Sequence, residues 1–268
     1  MAENRVRIDV DDHGVATVAM IRSDKHNALD REMFDALLEA ADRLAANSRI
    51  RAAVLHGAGK SFCAGLDIVS FLGQQGEDID ALFVRKDGEL ADYAQRAAHD
   101  WSRVPIPVIA AISGNCFGGG LQIALGADIR IAAPDAKLSI MEVKWGLVPD
   151  MAITQTLPRV VRIDVAKELT YAGRIVSGSE AQTLGLVTRI AEDPFAAALD
   201  LAREIAQKSP HAVRAAKRLY EETWTGVDPA AALVLESELQ MDLLGKPNQV
   251  EAVAAGLLGR APVFRDPD

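Results

Sequence analysis

The chain of 268 residues is 49% apolar, 5% aromatic and 25% charged, a balance that suits a folded globular protein and excludes collagen, coiled coil and extended disorder. Its 29 Lys and Arg against 38 Asp and Glu leave a formal net charge of −9, which repels phosphate backbones and anionic bilayers, so no nucleic acid and no membrane is expected as a partner. The two cysteines, Cys63 and Cys116, have no CxxC spacing. With a polar, acidic start in place of a signal peptide, they make the cytoplasm the expected location.

In chain order, residues 15–21 (VATVAMI) read as a β-branched strand, and Asp30 opens a helix with apolar residues at Phe34, Leu37, Leu38, Ala41 and Leu44, the spacing of one buried face. Residues 52–55 form a short apolar strand, followed by a glycine turn at Cys63-Ala64-Gly65-Leu66-Asp67. Residues 77–103 have a helical but polar pattern, which predicts a helix on the surface. From Val104 to Ala127 no charge occurs, a length that nominally spans a bilayer; Pro105, Pro107, Ser113, Asn115 and the run Gly118-Gly119-Gly120 argue against it. Strand 108–112, a glycine turn, a buried helix over 121–125 and strand 129–132 are expected instead. Strands of this kind alternating with helices imply an α/β core with parallel pairing.

Past Pro158 the pattern turns helical. Ser177 and Glu180 have capping-box spacing, and Ser209-Pro210 and Asp228-Pro229 are cap-plus-proline helix starts. The expected organisation is a core over residues 1–200 and an all-helical region over 201–268.

The run Gly57-Ala58-Gly59-Lys60-Ser61 is not a phosphate loop, because that motif needs glycine where Val54 stands. His13, His26, His56, His99 and His211 show no ligand spacing, and no metal is expected. The glycine triplet bears more chemistry: between a buried strand and a helix it leaves amide N–H groups at a positive helix end, where developing negative charge is stabilised. A tight turn needed only for packing explains the triplet equally well by itself.

Taken together, Ser61-Phe-Cys-Ala-Gly-Leu-Asp67 and residues 107–122 (PVIAAISGNCFGGGLQ) resemble the signature of the crotonase (enoyl-CoA hydratase/isomerase) family. The likeness extends from residues 22–29 through 127–132, 141–149 and 181–187 to the helical tail. It implies a crotonase-like spiral of ββα units with a C-terminal helical trimerisation region, and a homotrimer or a hexamer built as a dimer of trimers. It also implies an acyl-CoA thioester as substrate, with coenzyme A part of that substrate and no separate cofactor.

By the same resemblance the amides of Leu66 and Gly119 form an oxyanion hole, Arg22, Lys25 and His26 lie near the coenzyme A phosphates, and the Ala64 carbonyl meets the adenine. Asp67 reads as a local cap. Hydratases of the family use two glutamates, at the positions of Gln122 and Glu142. Glu142 is present, but the Gln122 amide cannot exchange its proton with a substrate. Asp150 matches an aspartate of the family's dienoyl-CoA isomerases, which also carry an acid at position 122, so neither pattern is complete. The expected reaction is double-bond isomerisation, with hydration of a 2-enoyl-CoA in fatty acid β-oxidation as the alternative and a non-catalytic acyl-CoA-binding protein as a second.

Overall fold

The computed structural model describes residues 5–72 and 80–267. Its strands are β1 (Val6–Val10), β2 (Val15–Met20), β3 (Ala52–Gly57), β4 (Val108–Ile112), β5 (Asn115–Phe117), β6 (Ile129–Ala132), β7 (Lys137–Ser139), β8 (Val176–Ser177) and β9 (Arg189–Ile190). Six form a sheet in the order β1-β2-β3-β4-β6-β9, parallel except for the β1-β2 pair. A smaller sheet runs β5-β7-β8. The expected strands all appear, and β4, whose five residues are all buried, has the continuous apolar sequence of a strand covered on both faces.

The two sheets define a spiral. β4 lies in the large sheet and β5 in the small one, and the helix Gly119–Gly126 follows; β6 and β7 repeat the step. Earlier turns make the second step with single bridges, Leu29 to Leu66 and Cys63 to Cys116, both parallel. Such one-residue and three-residue strands lack a period-2 signal, which is why the sequence shows only strand, turn and helix at these places.

The helix Arg31–Ala46 starts where Asp30 accepts a hydrogen bond from the Met33 N–H, and it buries Met33, Phe34, Leu37, Leu38 and Leu44 against the sheet. Truncating one such side chain to alanine costs about 2–5 kcal/mol. On the opposite face of the large sheet, Val54, Ile109 and Ile131 pack under Ala198, Ala202 and Ala206 of the helix Pro194–Ala206. Residue 200 therefore lies within a helix seated on the sheet. The helices Pro210–Thr223, Pro229–Leu243 and Pro247–Leu258 complete the chain, the first two capped by Ser209 and Asp228 as expected. Among the described residues no helix is long and apolar enough to cross a membrane.

One expectation fails. Of the helix predicted over 77–103, residues 77–79 lie outside the described residues; a 3-10 turn spans Ala81–Phe83, and the α-helix is confined to Tyr93–Arg103. Asp92 starts it with a reciprocal box, accepting from the Gln95 N–H while Gln95 Oε1 accepts from the Asp92 N–H. Nor does this helix lie on the surface: Ala94, Ala97, Ala98 and Trp101 are buried. Small alanines allow close packing without raising apparent hydrophobicity, so the segment reads as more polar than its position.

Candidate active site

Three backbone hydrogen bonds clamp the loop after β3 to the loop after β2: Ala64 N–H to His26 O (2.9 Å), Leu29 N–H to Gly65 O (2.8 Å) and Asp67 N–H to Leu29 O (2.9 Å). Because the groups on either side of Leu66 face Leu29, the Leu66 N–H itself faces away, and it has no acceptor among the described residues. The next turn of the spiral docks alongside, with Phe117 N–H donating to Cys63 O and Gly118 N–H to Ser139 O. Gly119 then begins the helix Gly119–Gly126, where its amide is one of the orphan donors of the first turn.

Glycine is required at the junction. Gly65 has φ +85°, and a Cβ there would stand 2.7 Å from Phe117 O and 3.6 Å from Gly119 N. Gly118, at φ 51° and ψ −123°, has a conformation that residues with side chains rarely adopt. The Leu66 and Gly119 loops are thus brought together, each offering a free main-chain donor.

The carboxylate of Glu142 lies beside them: a Cβ on Gly118 would be 3.2 Å from its Oε1. Glu142 is buried, and its Oε1 accepts from Gln122 Nε2 at 2.7 Å. Its Oε2 is buried with no partner among the described residues. Gln122 is fixed at its other end, where Oε1 accepts from the Met151 N–H at 2.8 Å. Burial pushes the Glu142 carboxyl above its ordinary pKa, and the charge of Asp150 adds to the shift. Asp150 is exposed overall, but partial burial of its carboxyl pushes its pKa up as well, and the charge of Asp92 adds to the shift. A base with a raised pKa, next to two donors that meet negative charge, is suited to removing a proton adjacent to a carbonyl.

The remaining site residues divide. Arg22 is only 12% exposed and is engaged within the protein, pairing with Asp30 (3.2 Å) and Asp67 (2.8 Å) and donating to Ala28 O. Lys25 is exposed, and its amine has no partner among the described residues. His26 places Nδ1 2.9 Å from Ser61 Oγ. The Ala64 carbonyl accepts no hydrogen bond among the described residues. Asp67 acts as the expected cap, accepting from the Ser70 N–H.

Two contributors were not legible. Asn27, fully buried, donates through Nδ2 to Ala58 O, Ser61 O and Phe62 O and so shapes the loop from within. The Met151 amide orients Gln122, and a backbone group has no sequence signature. Among the described residues no group of three His, Cys, Asp or Glu is arranged to hold a metal ion.

The chain is similar to known proteins over most of its length. The sequence profile described as enoyl-CoA hydratase/isomerase matches residues 11–266. Mitochondrial methylglutaconyl-CoA hydratase of Mus musculus is 30% identical over 271 residues, covering 98% of this chain and 83% of that protein. Mitochondrial Delta(3,5)-Delta(2,4)-dienoyl-CoA isomerase of Mus musculus is 37% identical over 210 residues, covering 76% and 64%. The crystal structure of an enoyl-CoA hydratase from Bacillus anthracis superposes with a TM-score of 0.89 at 29% identity, covering 97% of this chain and 98% of that one.

Proposed function

The chain belongs to the enoyl-CoA hydratase/isomerase family and has its crotonase fold, and from that premise we propose that it shifts the double bond of an enoyl-CoA thioester. The observation that carries this reading is the engagement of Gln122 at both ends, by Met151 N–H and by Glu142. With its oxygen occupied and no exchangeable acid, Gln122 is a strut for Glu142, which leaves hydration without a second proton-exchanging group.

In this reading the thioester oxygen lies between the amides of Leu66 and Gly119. Glu142 takes a proton from C2 of a 3-enoyl chain, the C–H electron pair forms the C1–C2 double bond of the enolate, and negative charge collects on the oxygen facing the two donors. Return of that proton from Glu142 to C4 draws the double bond to C2–C3 and re-forms the thioester carbonyl. The product has the mass of the substrate, and the base is regenerated.

Lys25 and His26 face the coenzyme A phosphates and the Ala64 carbonyl its adenine, with Arg22 shaping their loop. No cofactor beyond the substrate's own coenzyme A is required. The division at residue 200, the cytoplasmic location and a trimeric or hexameric assembly belong to the same reading. The assembly is supported by apolar side chains left exposed on the last two helices, Leu233, Val234, Val253, Leu257 and Leu258 among them.

Hydration of a 2-enoyl-CoA is the second reading, favoured by the likeness to a methylglutaconyl-CoA hydratase. Incubating the protein with 2-enoyl-, 3-enoyl- and 3,5-dienoyl-CoA and weighing the products separates the two: hydration adds the mass of water and isomerisation adds nothing. Water gain as the principal outcome overturns the isomerase reading.

A further inference from the structure

A cavity of about 990 Å³ opens between the helix Pro210–Thr223 and the far end of the helix Gly119–Gly126, and neither Glu142 nor Gln122 lines it. Its charges do not cancel. Three carboxylates line it, and each pairs with a lining cation: Asp128 with Lys217, Glu221 with Arg159 and Glu222 with Arg218. Three further arginines, Arg103, Arg130 and Arg214, also line it without an ion-pair partner among the described residues. In a chain of net charge −9 this is a local surplus of positive charge.

Arg130 is the most telling of them. It is only 4% exposed, and it donates from Nε to Leu186 O (2.8 Å) and from Nη1 to Ala127 O (2.7 Å), with no acceptor for Nη2 among the described residues. Burial pulls its guanidinium down to about 10, which still leaves it charged at neutral pH. The charge of Asp128 offsets part of that burial, but its Oδ2 is engaged by Lys217 and the Val108 N–H, so an anion in the cavity would complete the open Nη2 donor of Arg130. His99, which also lines the cavity, has its Nδ1 3.9 Å from Asp100 Oδ1. Val104, Tyr220 and Trp224 supply an apolar wall, and the volume is that of a small-molecule site.

We propose that this cavity is a second binding site, separate from the thioester site, for a small anion with an apolar body: a carboxylate or phosphate monoester held by Arg130 and Arg103 against Val104, Tyr220 and Trp224. Calorimetric titration of the intact protein at low salt with octanoate, phenyl phosphate and uncharged octanol tests it. At least one anion binds at one site per chain while octanol does not, and excess coenzyme A fails to displace it. Binding of octanoate alone assigns a carboxylate ligand, and of phenyl phosphate alone a phosphate ester. Arg103→Gln, at an exposed position, weakens the anion about tenfold and leaves thioester turnover unchanged; Arg130→Gln abolishes binding. Failure of both anions to bind, equal binding of octanol, displacement by coenzyme A, or an affinity indifferent to Arg103→Gln overturns the proposal.

Discussion

Gln122 Nε2 holds Glu142 Oε1 at 2.7 Å, so the one carboxylate beside the two free amides is oriented by a neutral amide rather than by a second acid. The bond favours the charged form of Glu142, while burial opposes it with greater effect. The balance keeps the carboxyl raised yet in register with the donors.

Replacing that amide by an acid changes the chemistry. In Gln122→Glu two carboxyls at hydrogen-bond distance share one proton, and the site gains a second proton-exchanging group. Hydration of a short 2-enoyl-CoA rises, by up to about 10²- to 10⁴-fold, and the pH profile of isomerisation moves upward because the Glu142 pair holds its proton longer. Product mass and rate against pH check both.

In the proposed mechanism Glu142→Gln removes the base, and kcat is expected to fall about 10²- to 10⁴-fold. Its stability changes the other way. Burial raises the folded-state pKa above the unfolded value, so wild-type stability from this group is complete below the unfolded pKa and declines as pH rises towards the folded one. The variant therefore melts higher than wild type at neutral pH, and the gap closes at acid pH. Thermal melts of both proteins across that range measure it.

In the proposed mechanism the oxyanion donors are main-chain groups, so Leu66→Ala is expected to retain activity, while Gly119→Pro deletes a donor at an expected cost of about 2.7–4 kcal/mol in the barrier. A ring at Gly119 also presses on Met151 Sδ and Leu29 Cδ1, which lie 2.8 and 2.9 Å from its Cβ position. Circular dichroism of the variant separates lost donation from lost fold.

Lys217 is buried, donating to Trp101 O, Ile106 O and Asp128 Oδ2. Lys217→Met leaves the Asp128 charge without its partner and costs about 3 kcal/mol. Adding Asp128→Asn recovers part of the loss. Urea denaturation of the single and double variants reports both values.

Leu257 and Leu258 are 84% and 72% exposed, and Leu257→Asp is expected to weaken self-association. The expected sedimentation result is an oligomer for the wild type and a shift towards the 28.7 kDa chain for the variant.

What the sequence conveyed follows from the range of each signal. Strands β2, β3, β4 and β6 and the helix capped by Asp30 are local, periodic features, and each was readable. The Ser177 box was readable in half: Ser177 caps Glu180 N–H, but the Glu180 carboxylate turns to Arg174. Glu142, Gln122, Leu66 and Gly119 are candidates through the family resemblance, whereas the Met151 amide and the Asn27 bonds depend on contacts between distant turns. Arg22 carries the same charge whether it faces solvent or Asp30 and Asp67, so only the folded chain reveals its engagement.

The spiral has a consequence in time. Leu66 and Gly119 belong to successive turns, and their amides come together only when the second turn docks on the first through Phe117 N–H and Cys63 O. Helical signal returns during refolding as soon as single helices form, since their bonds are local. In the proposed mechanism turnover has to wait for the docking. Catalytic recovery therefore lags ellipticity after dilution from denaturant, and the interval between them is the lifetime of a chain that has its helices but not yet its oxyanion pair.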